Sequence, residues 1–85
     1  MIDSSLLNAA VSRTLQAARR ASGLTWVEIA GRSGLALRSA MRYFEGQRHI
    51  SAVDLHAAAA VFGLSGAEML RRAEQEATVG GITSA

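Results

Sequence analysis

The stretch that most constrains this chain is residues 25–46, TWVEIAGRSGLALRSAMRYFEG. Thr25 is a natural helix N-cap, and Glu28 three residues later completes a capping box, so a helix should open there. Ile29 and Ala30 are its inward residues. Gly34 can take the left-handed conformation that stops it, and Leu35 is an apolar plug for the corner. Leu37, Ala40, Met41 and Phe44 then recur at helical spacing until Gly46 ends a second helix. The spacing places one helix from about Thr25 to Ser33 and the next from about Ala36 to Glu45. Helices joined by so tight a turn must cross steeply, and small residues are needed where they touch. Ala30 and Ala40 are both small.

That arrangement is the signature of a helix-turn-helix. Around it the chain reads as helix throughout. Asp3, Ser4 and Ser5 offer caps for a first helix whose inward stripe is Leu7, Val11, Leu15 and Ala18. It ends at Ser22-Gly23, and Leu24 anchors the connection. A polar loop, Gly46-Gln47-Arg48-His49-Ile50, is pinned by Ile50. Ser51 with Asp54 opens a fourth helix carrying Val53, Leu55, Ala58, Ala59 and Phe62, closed by Gly63. Ser65 with Glu68 opens a fifth, whose apolar side is Met69, Leu70 and Ala73. Residues 78–85 have no helical period and read as a flexible tail, so residues 1–77 form the domain. At 85 residues this is one all-α domain near the lower limit for a core that folds unaided. With no cysteine there is neither a disulfide framework nor a thiolate metal site, and with no proline no helix is interrupted. MIDSSLLNAA carries no basic leader or long apolar run, so the expectation is a soluble cytoplasmic protein.

A net charge of +2 hides an uneven distribution. Arg13, Arg19, Arg20, Arg32, Arg38, Arg42 and Arg48 stand against Glu28 and Glu45, which makes that part +5. Arg71 and Arg72 stand against Asp3, Asp54, Glu68, Glu74 and Glu76, leaving the remainder at −3. Arginines are exposed in most proteins, so a charge bias alone says little. Here it coincides with the motif, as polyanion binding requires.

Five helices with the tight pair second and third resemble the DNA-binding domain of lambda-type phage repressors and the wider Cro/repressor (Xre) helix-turn-helix family. The resemblance covers roughly Leu15 to Ala73. It is carried by Leu24-Thr25 before helix two, Ala30 at the crossing and Gly34 in the turn. Phe44-Glu45-Gly46 ending helix three and Phe62-Gly63-Leu64-Ser65 ahead of helix five complete it. The chain departs from the family at Trp26, where glutamine is usual and touches the backbone while bracing helix three. It departs also at Leu37, where a polar base reader is frequent, at Ala40, more often valine or isoleucine, and at Ser33, commonly apolar.

The resemblance implies a sequence-specific regulator of phage or prophage type, a repressor or Cro-like protein, binding double-stranded operator DNA. Helix three would enter the major groove and present Arg38, Ser39, Met41 and Arg42, with Leu37 at its head meeting only a thymine methyl. Arg38 is the first choice for reading guanine. Arg42 suits a base, a phosphate, or a salt bridge to Glu45 or Glu28. Phosphates would be held by Thr25 and the free N–H groups of helix two, and by Gln47, Arg48 and His49 on the following loop. Trp26 can donate its indole N–H to a phosphate or pack its ring on helix one. Tyr43 can bond a phosphate or fill the core. Met69, Leu70 and Ala73 exceed what so small a core needs and suggest a homodimer through helix five.

Two other classes compete. No nucleophile with its base, phosphate-cradling glycine loop or paired-carboxylate cleft stands out, so an enzyme is not expected. His49 and His56 alone do not make a metal site, and no cofactor is implied. The same fold serving as an antitoxin-like or adaptor module for another protein is the closer rival.

Overall fold

In a computed structural model, which describes the backbone of residues 4–84 and the side chains of residues 4–77, the described residues form five helices and no strand. They are α1 (Ser4–Ser22), α2 (Trp26–Ser33), α3 (Leu37–Phe44), α4 (Ala52–Ala60) and α5 (Gly66–Ser84). Asp3 lies outside the described residues. No helix is long and apolar enough to cross a membrane.

Local chemistry sets most of the boundaries. Thr25 accepts from the Glu28 N–H at 3.2 Å while the Glu28 carboxylate accepts from the Thr25 N–H at 3.0 Å, so the capping box at α2 is complete. These bonds, the backbone N–H first, hold the Glu28 carboxyl below its usual range. Gly34, at φ 77°, ends α2 by donating to the Ala30 carbonyl at 2.9 Å, a left-handed stop that a side chain would strain. Ser51 caps α4 at the Asp54 N–H, and Ser65 caps α5 at the Glu68 N–H. Here the boxes are one-sided. Asp54 accepts instead from Tyr43, and the Glu68 carboxylate takes Arg71 and Arg72, which hold it down to about 2.

The core gathers Leu15, Ile29, Phe44 and Met69, all fully buried, with Ala40, Ala58, Ala59 and Ala73 where helices press closest. α1 lies along α5 and also meets α3, so its buried arc is wider than one stripe. Val11 and Leu15 are buried as the spacing predicts, but so are Ala10 and Ser12, while Leu7 and Ala18 are only half-buried.

Four expectations need correction. Val53 is 78% exposed, because Leu55, Ala58 and Ala59 define the inward side of α4 and Val53 falls on the opposite side. α4 stops at Ala60. The chain then tightens through Gly63, whose N–H reaches Ala60 while the Leu64 N–H reaches the Ala59 carbonyl. Met69 and Ala73 are fully buried against the chain's own helices and offer no surface to a second copy. Finally, α5 continues through 78–84 where the sequence shows no helical period; extending a formed helix adds one hydrogen bond for each residue fixed.

Phe44 links α3 to the rest: its ring meets Trp26 in a T-shaped contact at 5.3 Å between centroids and Phe62 at 6.3 Å. Phe44→Ala should therefore cost about 3–5 kcal/mol, much of the stability of a domain this size. Chemical denaturation measured by circular dichroism checks this, and a loss under 1 kcal/mol would mean the ring is not a keystone.

Candidate nucleic-acid interface

α3 is eight residues long, with Ala40, Tyr43 and Phe44 buried. The opposite side leaves Arg38 and Arg42 exposed one helical turn apart, Leu37 at 42% exposure, and Ser39 and Met41 half-buried. Thus the five residues expected to face bases lie together on or beside the outward face. Leu37 and Met41 contribute apolar surface to one side of the two arginines. Ala36 opens the helix in an extended conformation without a side-chain cap.

The far end of α3 is clamped. Ser12 donates to the Tyr43 carbonyl at 2.8 Å and Gln16 to the Phe44 carbonyl at 2.6 Å, both from α1. The Gly46 and Gln47 N–H groups close back onto Tyr43 and Arg42. Together these bonds satisfy last-turn carbonyls of α3 that would otherwise lack partners. Beyond the clamp, Gln47, Arg48 and His49 are exposed, and the Ile50 N–H is held by Asn8 at 3.4 Å.

The ion pairs sort the arginines. Arg13 pairs with Glu76, Arg32 with Glu28, and Arg71 and Arg72 with Glu68. Among the described residues Arg19, Arg20, Arg38, Arg42 and Arg48 have no carboxylate partner, and all five fall between residues 19 and 48. Arg42 pairs with neither Glu45 nor Glu28. Residues 36–48 carry Arg38, Arg42 and Arg48 against the single acid Glu45, which leaves the region around α3 positive.

Two phosphate candidates are otherwise engaged. Tyr43 is 4% exposed, and its hydroxyl donates to the Asp54 carboxylate at 2.5 Å. A buried phenol committed to a carboxylate cannot also serve a phosphate, so Tyr43 belongs to the core, tying α3 to α4. Arg48 lies 5.6 Å over its ring. Thr25 is exposed, but its N–H already serves the Glu28 carboxylate, so the α2 terminus is partly neutralised from within.

Trp26 packs. Its ring makes a T-shaped contact with Phe44 and lies under the Arg19 guanidinium, whose central carbon sits 4.1 Å from the ring centroid. The Arg19 Nε is buried with no hydrogen-bond partner. An unpartnered buried N–H costs about 1–3 kcal/mol, and a cation–π contact offsets it by about 0.5–2 kcal/mol. Sequence reading put Arg19 merely off the inward stripe of α1; the one signal was an arginine in the last turn just before an unusual tryptophan.

For the suggested dimer surface only Leu70 remains, half-buried in an apolar groove of about 250 Å³ with Leu7, Ile50 and Leu55. No protein-family model matches the chain, and no curated protein matches it either.

The Tyr43–Asp54 bond makes a pH prediction. Donation to the carboxylate, with burial and the Asp54 charge adding to it, raises the phenol above its ordinary value of 10. A group raised in the folded state stabilises fully below its unfolded value, and that contribution is lost as pH climbs through the folded one. Phenolate absorbance should thus titrate above 10 in the folded protein. Tyr43→Phe should cost about 1.5–3 kcal/mol of stability and leave any affinity for duplex DNA unchanged.

Proposed function

We propose that this chain is a lambda-repressor-like helix-turn-helix protein, with α2 and α3 as its two motif helices. In this reading it regulates transcription by binding double-stranded DNA sequence-specifically, as a phage- or prophage-type repressor or Cro-like protein, and performs no catalysis. The observation that carries the reading is the state of α3: a short helix clamped at one end, facing outward with two arginines that pair with no carboxylate among the described residues. An α-helix fits the major groove, and a guanidinium pairs bidentately with guanine. The unpaired arginines flanking it on α1 and the following loop suit the sugar–phosphate backbone on either side.

In this reading Arg38 reads a base, Arg42 reads a base or a phosphate, Leu37 and Met41 meet thymine methyls, and Ser39 bonds a base edge or phosphate. Thr25, Gln47, Arg48 and His49 hold phosphates. Tyr43 drops out, as do Met69 and Ala73 as dimer contacts.

Selection of bound sites from random duplex DNA tests the reading. An enriched motif supports it, and a palindromic one implies two copies on the site. Absence of any enrichment would replace it with the protein-adaptor alternative. On the selected site Arg38→Ala should weaken binding by about 1–3 kcal/mol and relax one base position; parental affinity would remove Arg38 as a reader. Arg48→Ala should weaken all sequences alike and lower the salt slope by about one, and an unchanged slope in titrations against sodium chloride would dismiss its phosphate role.

A further inference from the structure

Between the end of α1, the end of α2 and the turn joining α4 to α5 lies an open cleft of about 530 Å³. The small side chains of Ala18 and Ala21 leave the hollow. Leu24, Val61, Phe62 and Leu64 present apolar surface in it, each only half-buried against the core. Arg32 of α2 and Arg72 of α5 also border it, and among the described residues no carboxylate does. No residue of α3 lines it, so it stands apart from the candidate DNA-binding face.

Both arginines keep donors to spare. Arg71 takes both oxygens of Glu68, at 3.0 and 2.7 Å, so Arg72 is a second cation on one acid. It reaches that carboxylate through Nε at 3.1 Å, which leaves its terminal nitrogens without a carboxylate. Arg32 approaches Glu28 only to 3.9 Å, an ion pair beyond hydrogen-bond reach. Glu28 meanwhile accepts from the Thr25 N–H. Two guanidinium groups with open N–H donors thus border apolar surface that the chain leaves uncovered.

We propose that this cleft binds a small organic anion, a monocarboxylate with an apolar chain. Its head group lies on Arg32 and Arg72, and its chain covers Leu24, Val61, Phe62 and Leu64. A guanidinium fork matches the two oxygens of a carboxylate. Sites for small molecules are clefts of roughly 300–1,000 Å³, mostly apolar with a few placed polar groups, and this one fits that description. A bare phosphate or a nucleic-acid backbone would leave the four apolar residues exposed. A protein partner needs roughly 20–30 residues on each side, more than line the cleft.

Titration of the isotope-labelled full chain with sodium octanoate, followed by amide NMR shifts, tests the site. The amides of Leu24, Phe62 and Leu64 should shift together and saturate with one Kd. Acetate, which lacks the chain, and 1-octanol, which lacks the charge, should not saturate over the same range. Arg32→Gln and Arg72→Gln should each weaken octanoate about tenfold, the lower end for a hydrogen bond to a charged group. Ala21→Leu fills the hollow and keeps the charge, so it should abolish saturation while the unfolding midpoint stays near that of the parent. Octanol matching octanoate, or parental affinity in both arginine variants, overturns the anion site. Shifts confined to Leu7, Ile50 and Leu70 would seat the ligand in the other apolar groove and overturn it as well, as would no saturable shift at all. None of these readouts involves DNA, so the outcome is separate from that of the DNA-binding reading.

Discussion

The structure depends on how the end of α3 is held. An eight-residue helix is too short to persist in water by its own hydrogen bonding, because the cost of its first turn is never recovered over so few residues. What keeps it formed is tertiary. Phe44 is fully buried between Trp26 and Phe62, and Ser12 and Gln16 of α1 take the carbonyls of Tyr43 and Phe44. The core therefore fixes both the existence and the orientation of the surface that carries Arg38 and Arg42. Ser12 is the only polar residue counted as buried among those described, and its hydroxyl is spent on this clamp. Replacing it with alanine would leave the packing almost unchanged and remove one partner from a buried carbonyl, a loss felt first in α3.

The same economy governs charge. Exposed ion pairs on a helix contribute only about 0.3–0.5 kcal/mol, so Glu28–Arg32 and the Glu68 pairs matter less for stability than for what they remove from the field. Glu28 at the start of α2 and Glu68 and Glu76 on α5 are paired with arginines of their own helices or of α1. The arginines of α3 and its following loop are left uncompensated. A protein needing only solubility could spread its arginines anywhere. Concentrating uncompensated charge beside a preorganised helix is what association with a polyanion requires.

Most of the local architecture was legible in the sequence, because caps and left-handed stops are decided by neighbours in the chain. Thr25 with Glu28, Gly34 and the closing glycines needed no knowledge of the tertiary structure. The outward side of α3 was legible for a related reason: helical spacing sorts Arg38 and Arg42 away from Ala40 and Phe44. What escaped were pairings between helices. That Asp54 completes no box because Tyr43 claims it, or that Ser12 and Gln16 serve α3, follows from which helices meet and at what rotation. Periodicity also misplaced Val53, since in an alanine-rich helix several faces look apolar and only packing selects one. Met69 and Ala73 seemed superfluous because the core was counted from short segments, before α5 lay against both α1 and α4.

Trp26 joins these threads. Its ring meets Phe44 in a T-shaped contact and carries the Arg19 guanidinium over it, with the central carbon 4.1 Å from the ring centroid. A stack tolerates sliding in its plane, whereas a hydrogen bond does not tolerate misalignment. The junction of α1, α2 and α3 is thus held by the ring contacts of Trp26, while Ser12 and Gln16 separately hold the carbonyls at the end of α3.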